Sequence, residues 1–184
     1  SSKLYDRVYG SGRWKYSTIY SLSIGQGEMQ VTPLQMANLA AIFANKGYYY
    51  TPHLVKAIDG DPSQIPGKFQ IKHEVGIDAH HFNLIQDAMA EALYGTANRA
   101  VIKDLVIAGK TGTAQNPHGE DHSVFIAFAP KDDPKIAIAV YVENAGWGGR
   151  AAASTASLMI EKYIKGEITR PELQEYVLAG SFIY

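Results

Sequence analysis

The chain has 184 residues, with 17 Lys plus Arg against 18 Asp plus Glu, a net charge of −1 and no cysteine. Near-neutral charge argues against a nucleic-acid partner, and the lack of cysteine excludes disulfides and thiolate metal sites. The hydrophobic fraction of 46% excludes a disordered chain.

The first part of the chain shows little regular patterning. Residues 1–22 have no clean hydrophobic period, so they are predicted to form an irregular lead-in. Gly25 and Gly27 flank Gln26, which predicts a turn or a close backbone approach. Residues 23–166 are expected to form one partial domain, followed by a short C-terminal helix and tail over 167–184.

A well-marked helix begins after Thr32. Thr32 is a helix-capping residue, Pro33 suits the first helical position, and Gln35 completes a capping box. Gly47 is a plausible stop for this helix. Further helices are predicted over residues 79–94, 151–165 and 171–179.

Three apolar runs predict strands over residues 105–108, 124–129 and 136–142. Their connections are short, which favours antiparallel pairing. The second and third runs do not alternate polar with apolar residues, so both faces should be covered by helices. The expected fold class is α/β of the α+β type, an antiparallel sheet flanked by helices.

A lysine flanked by glycines and threonines follows the first predicted strand. Gly109 and Gly112 lack side chains, so another molecule can approach the strand. Lys110 supplies a positive charge, while Thr111 and Thr113, two residues apart, share one face. These groups are suited to holding a carboxylate and a carbonyl along a strand edge.

The same stretch has two other interpretations. A phosphate-binding loop needs a glycine where Asp104 stands and a helix after the lysine, whereas Asn116 and Pro117 follow shortly. A plain edge strand protected by a lysine stays open on the local pattern alone.

A polar loop follows the lysine strand, and it raises the question of a metal site. It contains His118, Glu120, Asp121 and His122. Metal sites need oriented ligands with supporting hydrogen bonds, so a polar hairpin connection is the preferred interpretation.

The order of several motifs resembles a known family. Lys110-Thr111-Gly112 matches the third motif of the serine penicillin-binding proteins and β-lactamases. Other blocks occur in the order seen in the family: Gly25-Gln26-Gly27, residues 32–37, Gly95-Thr96-Ala97, Asp121-His122, residues 125–130 and Val142-Glu143-Asn144. Together they resemble the C-terminal part of the transpeptidase domain of a class B penicillin-binding protein, most of all the elongation type, penicillin-binding protein 2.

The resemblance implies a fold and a set of site residues. The fold would be the C-terminal portion of the penicillin-binding protein transpeptidase and serine β-lactamase-like fold, and the three predicted strands would be part of its larger five-stranded sheet. Lys110 would help to polarise the nucleophile, and Thr111 and Thr113 would bind the terminal carboxylate of the substrate. The Thr113 backbone N–H would be an oxyanion donor, and Gly112 would let the substrate lie close.

Trp147 lies where family members border the cleft. It is surrounded by Gly146, Gly148, Gly149 and Arg150, which predict a flexible entry to the following helix. A packing role is preferred for its ring, with substrate contact as the alternative.

The sequence departs from the family in one respect. No serine is followed by lysine three residues later or by asparagine two residues later, so the Ser-x-x-Lys nucleophile and the Ser-x-Asn motif are both missing. We expect a fragment that starts after these motifs and is not acylated by penicillin alone. A truncated sheet also predicts self-association or low stability.

The implied function is that of a peptidoglycan D,D-transpeptidase. The alternatives are a β-lactamase or β-lactam-sensor relative, and a non-catalytic module that binds peptidoglycan peptides or a partner. The resemblance implies no cofactor and no metal. The partners that the resemblance implies are the peptidoglycan stem peptide, β-lactams and a membrane glycosyltransferase of the elongation machinery. The protein would lie at the extracytoplasmic (periplasmic) face of the cytoplasmic membrane. It would be anchored there through an N-terminal helix that is missing from this sequence.

Overall fold

The computed structural model describes residues 2–180 and 182 of the chain. The chain divides into two compact units, Ser1–Val31 and Thr32–Tyr184. Within the described residues, no helix combines the length and apolar character needed to cross a membrane. The predicted domain boundaries after residues 22 and 166 remain predictions.

The first unit contains helices where an irregular segment was expected. Helix α1 spans Ser2–Tyr9 and α2 spans Tyr16–Tyr20. The rings of Tyr5 and Tyr9 stack one turn apart, and both hydroxyls donate to Glu28. These bonds join residues far apart in the chain, so no local hydrophobic period predicts the helices.

The Gly-Gln-Gly block ends the first unit's helical segment. A 3₁₀ turn over Ser21–Ile24 is terminated by Gly25 in the left-handed conformation, with a φ of 79°. Gly27 also has a positive φ, and a Cβ there would lie 2.7 Å from the Ser21 hydroxyl. The predicted turn is therefore confirmed.

The second unit begins with α3, Pro33–Ala44. Its predicted capping box is present: the Gln35 N–H donates to the Thr32 hydroxyl at 3.3 Å, and the Thr32 N–H donates to the Gln35 side chain at 2.8 Å. Two short strands, β1 (Tyr48–Tyr50) and β2 (Lys72–Glu74), then form a small antiparallel sheet. Helix α4 (Ala79–Glu91) follows and is extended by a 3₁₀ turn.

The central sheet is an antiparallel meander in the order β3-β4-β5. Its strands are β3 (Ala108–Ala114), β4 (His122–Ala129) and β5 (Ile136–Val142). The prediction of a first strand over 105–108 is wrong, because β3 only begins at Ala108. Ile107 instead fills the core, fully buried, and the Val106 carbonyl accepts the Lys131 N–H at 2.8 Å.

Helices cover both faces of this meander, as the apolar runs predicted. Helix α5 (Ala151–Lys165) packs on the face that carries Phe125 and Ala127. Helices α3 and α4 pack on the opposite face, where Phe128 and the buried Met89 belong to a second apolar cluster. The expected α+β architecture is confirmed.

The C-terminal helix α6 (Pro171–Leu178) is preceded by a buried ion pair. The fully buried Glu161 of α5 accepts hydrogen bonds from the Thr169 hydroxyl at 2.6 Å and the Arg170 Nε at 3.0 Å. The Arg170 Nη1 also donates to the Val101 carbonyl at 3.0 Å. These bonds connect the start of α6 to α5 and to the loop before β3.

Candidate functional site

The lysine strand is β3, which lies at one edge of the meander. Alternation along the strand puts Lys110 and Gly112 on the face of α3, and Thr111 and Thr113 together on the face of α5. The Lys110 side chain is exposed, and its amino group donates to the Thr111 carbonyl. The structure therefore places a cation and two hydroxyls along one accessible strand edge.

The two glycines of β3 differ in what surrounds them. A Cβ at Gly109 would lie 2.4 Å from the Phe125 ring, so the protein itself fills this space and the expected approach of a ligand at Gly109 is wrong. A Cβ at Gly112 would meet only Val124, at an ordinary 3.5 Å. Gly112 is therefore the glycine of β3 whose Cβ position has no close neighbour.

Residues 144–150, which we term the glycine loop, lie directly against β3. A Cβ at Gly148 would lie 2.1 Å from the Gly112 carbonyl oxygen, and one at Gly149 would lie 2.3 Å from the Thr96 carbonyl oxygen. The Gly148 N–H donates to the Thr113 hydroxyl at 3.3 Å. Only glycine permits so close a backbone contact at these two positions.

Thr96 joins the same group of residues. The Thr111 hydroxyl donates to the Thr96 hydroxyl at 3.3 Å. The Gly-Thr-Ala block, β3 and the glycine loop thus converge, although they are distant in sequence. Sequence reasoning noted each block but missed their contact, for which the only local signal was the run of small residues.

Sequence reasoning also missed Ser123, which fixes the glycine loop to β4. Ser123 is fully buried. Its hydroxyl donates to the Trp147 carbonyl at 3.1 Å and accepts the Ala152 N–H at 3.0 Å. A lone hydroxyl residue in the apolar run of β4 was the available signal.

The Trp147 side chain is exposed to solvent rather than packed against the protein. Its side chain is 73% exposed, so the preferred packing role is wrong. The loop backbone on either side is held by the Gly146 and Gly148 amides, which bond to Asp121 and to the Thr113 hydroxyl and leave the ring outside. The Arg150 guanidinium lies 5.9 Å from the ring centroid.

The polar connection between β3 and β4 is stabilised by hydrogen bonds within the connection and to Asn144 of the glycine loop. The Asn116 N–H donates to Asp121 at 3.1 Å, and the Asn144 N–H donates to His122 Nδ1 at 3.0 Å. The Asn116 amide donates to the Asn144 side chain at 2.7 Å. In the described part of the chain, no three His, Cys, Asp or Glu residues are grouped so as to hold a metal ion.

Comparison with known proteins identifies the family. The model of the penicillin-binding protein transpeptidase domain matches residues 6–161. The peptidoglycan D,D-transpeptidase MrdA of Haemophilus influenzae is 32% identical over 188 aligned residues, which cover 89% of this chain and 28% of that protein. The chain thus spans less than a third of the length of this relative.

Solved structures agree with this result. Pseudomonas aeruginosa PBP2, in complex with WCK 5153, matches with a TM-score of 0.75 and 32% identity over 93% of this chain and 38% of that chain. The imipenem acyl-enzyme complex of penicillin-binding protein A from M. tuberculosis matches with a TM-score of 0.65 and 31% identity over 80% of this chain and 34% of that one. The chain belongs to the transpeptidase-domain family of the class B penicillin-binding proteins, of the penicillin-binding protein 2 (MrdA) type.

Proposed function

We propose that these residues supply the Lys-Thr-Gly side of the active site of a peptidoglycan D,D-transpeptidase. The observation that carries the proposal is the open edge of β3, where Lys110, Thr111 and Thr113 stand beside an unfilled Gly112. Membership of the transpeptidase family supports this function over that of a β-lactamase or a binding module.

The proposed reaction is acyl transfer in two steps. A serine hydroxyl attacks the carbonyl of the penultimate D-alanine, the peptide bond breaks, and the terminal D-alanine leaves as an amine that takes up a proton. An amine of a neighbouring stem peptide then attacks the acyl-enzyme ester, and the serine hydroxyl is restored. A β-lactam, whose ring opens on attack, stops the sequence at the ester.

Each site residue has a role in this scheme. The Lys110 cation favours the ionised serine and passes protons, since opposite charge stabilises a developing anion. On ligand binding the Thr111 hydroxyl turns its proton from Thr96 to the terminal carboxylate, to which the Thr113 hydroxyl also donates, and the Thr113 N–H donates to the oxyanion. Gly112 leaves room for the stem peptide, and the exposed Trp147 contacts it at the rim of the site.

The nucleophile is proposed to lie outside these 184 residues, because none of their serines has a lysine three residues later. The proposed ligands are stem peptides and β-lactams, and the proposed partner is a membrane glycosyltransferase. The proposed location is the extracytoplasmic face of the cytoplasmic membrane. No cofactor takes part in the scheme.

Labelling of the full-length protein with fluorescent penicillin tests the proposal. We expect one adduct, mapped by digestion and mass spectrometry to a serine of a Ser-x-x-Lys sequence. Lys110→Ala should slow labelling about a hundredfold or more, the range of a lost proton-transfer group. Lys103→Ala is the matched control, since Lys103 is also exposed but lies on the loop before β3.

Two results would count against the transpeptidase. A folded full-length protein that takes no label would make a non-catalytic binding module the better function. Equal labelling of the Lys110→Ala and Lys103→Ala variants would remove Lys110 from the reaction.

A further inference from the structure

Ser123 is an exceptional residue in β4. Its side chain is fully buried, and every residue that follows it in the strand, from Val124 to Ala129, is apolar. Burying a hydroxyl is costly unless it is hydrogen-bonded. Ser123 meets this cost with two bonds, to the Trp147 carbonyl and from the Ala152 N–H, so one side chain holds both the glycine loop and the first turn of α5.

The bond from Ser123 to the Trp147 carbonyl connects Ser123 to Thr113 through the peptide between Trp147 and Gly148. Ser123 is paired directly with Thr113 across the β3–β4 ladder. It fixes the carbonyl of Trp147, and the next residue in the chain, Gly148, donates its N–H to the Thr113 hydroxyl. The position of that N–H, and with it the orientation of the Thr113 hydroxyl, therefore depends on Ser123.

We infer that Ser123 is a positioning residue for recognition of the ligand's carboxylate, acting through the glycine loop on Thr113. The inference rests on the proposed function, in which Thr113 donates to that carboxylate. A hydroxyl proton rotates to suit its surroundings, and a charge-assisted hydrogen bond depends steeply on direction. Seating the Gly148 N–H on the Thr113 oxygen restricts this rotation before the ligand arrives.

The test compares two buried serines in the full-length protein. Ser123→Ala removes both bonds to the loop and to α5. Ser154→Ala is the matched control, because Ser154 is equally buried in α5 and its hydroxyl has no hydrogen-bond partner among the described residues. Acylation rates are measured with benzylpenicillin and with its methyl ester, which lacks the free carboxylate.

We expect the wild-type protein and Ser154→Ala to share the same preference for benzylpenicillin over the ester. Ser123→Ala should lower this preference about fivefold, the factor carried by one net hydrogen bond. A purely structural loss would slow both compounds alike and leave their ratio unchanged. Ser123→Cys, which keeps the size and a weak donor, should give an intermediate ratio and replaces Ser123→Ala if that variant does not fold.

Hydrogen exchange of the peptide covering residues 146–152 supplies the second measurement. Faster exchange there in the Ser123 variant, together with the lowered ratio, supports the inference. Faster exchange in residues 146–152 with an unchanged benzylpenicillin-to-ester ratio would overturn the inference. Unchanged exchange in these residues would overturn it as well. A wild-type protein that reacts with both compounds but ignores the carboxylate also overturns it, whereas one that reacts with neither overturns the proposed function instead.

Discussion

Gly109 and Gly112 lie on opposite faces of β3 and should respond differently to the same substitution. Gly109→Ala places a methyl group 2.4 Å from the buried Phe125 ring, so we expect a loss of about 2 kcal/mol in the free energy of unfolding through overpacking. Gly112→Ala meets only an ordinary contact with Val124 and should change stability by less than about 0.5 kcal/mol. Urea unfolding of both variants measures the two stability losses. Equal losses would contradict the difference in packing between Gly109 and Gly112.

Glu161 should make stability depend on pH in the acid range. Burial alone would raise the pKa of this carboxyl, but hydrogen bonds from Thr169 and Arg170 and the charge of Arg170 hold its pKa below the ordinary value. A lowered folded-state pKa gives stability that is fully present above the ordinary pKa of a glutamate, about 4.3, and is lost as the pH falls through the lower folded-state pKa.

The expected signature is an acid-induced loss that Glu161→Gln reduces. This variant should also be about 2–3 kcal/mol less stable at pH 7, since it breaks a buried pair whose arginine is partly exposed. Thermal melts from pH 7 to pH 3 provide the measurement, with the exposed Glu143→Gln as control. Parallel profiles of stability against pH for the wild-type protein and Glu161→Gln would show that the Glu161–Arg170 pair does not cause the acid-induced loss.

Residues with a distinctive local pattern could be found from the sequence, and residues defined by distant contacts could not. Lys110, Thr111 and Thr113 stood out because a charge and two hydroxyls interrupt an apolar region. Ser123 and Thr96 act through contacts with the glycine loop, and no local spacing encodes such contacts.

At the scale of elements, the capping box of α3 is open to a direct test. Thr32→Ala removes the acceptor for the Gln35 N–H, leaving an unsatisfied donor at the helix start. We expect a loss of about 1 kcal/mol in the free energy of unfolding. Thr51→Ser, which keeps a hydroxyl outside the helix, is the control, and a Thr32→Ala variant as stable as this control would rule out a contribution from the cap.

The elements found from the sequence were those with local signals. Helices α3 and α5 carry a capping box or a terminal glycine, and β5 is a continuous apolar run. Strand β3 was placed too early, because its own glycines, alanines and lysine are depleted in strands while the preceding apolar residues fill the core. Helix α1 was missed because its tyrosines are held by the distant Glu28.

For the whole molecule, the edges of the meander govern behaviour in solution. Among the described residues, β5 pairs only with β4, so its apolar run presents unpaired backbone groups at its outer edge. Such an edge favours pairing with another chain. The 184 residues expressed alone should therefore self-associate with rising concentration, as measured by sedimentation velocity. A monodisperse monomer with a sharp melt at high temperature would contradict this expectation.

The close contact of the glycine loop with its neighbours limits which substitutions the loop accepts. Ala145 is buried, Gly146 has a positive φ, and Gly148 and Gly149 touch backbone atoms, so these positions accept few other side chains. Asn144 has a φ of 52° and its side chain accepts a hydrogen bond from Asn116, so Trp147 and Arg150 are the loop residues that extend without such limits. Under the proposed function, substitutions in this loop that alter reaction with β-lactams should therefore occur at residues 147 and 150.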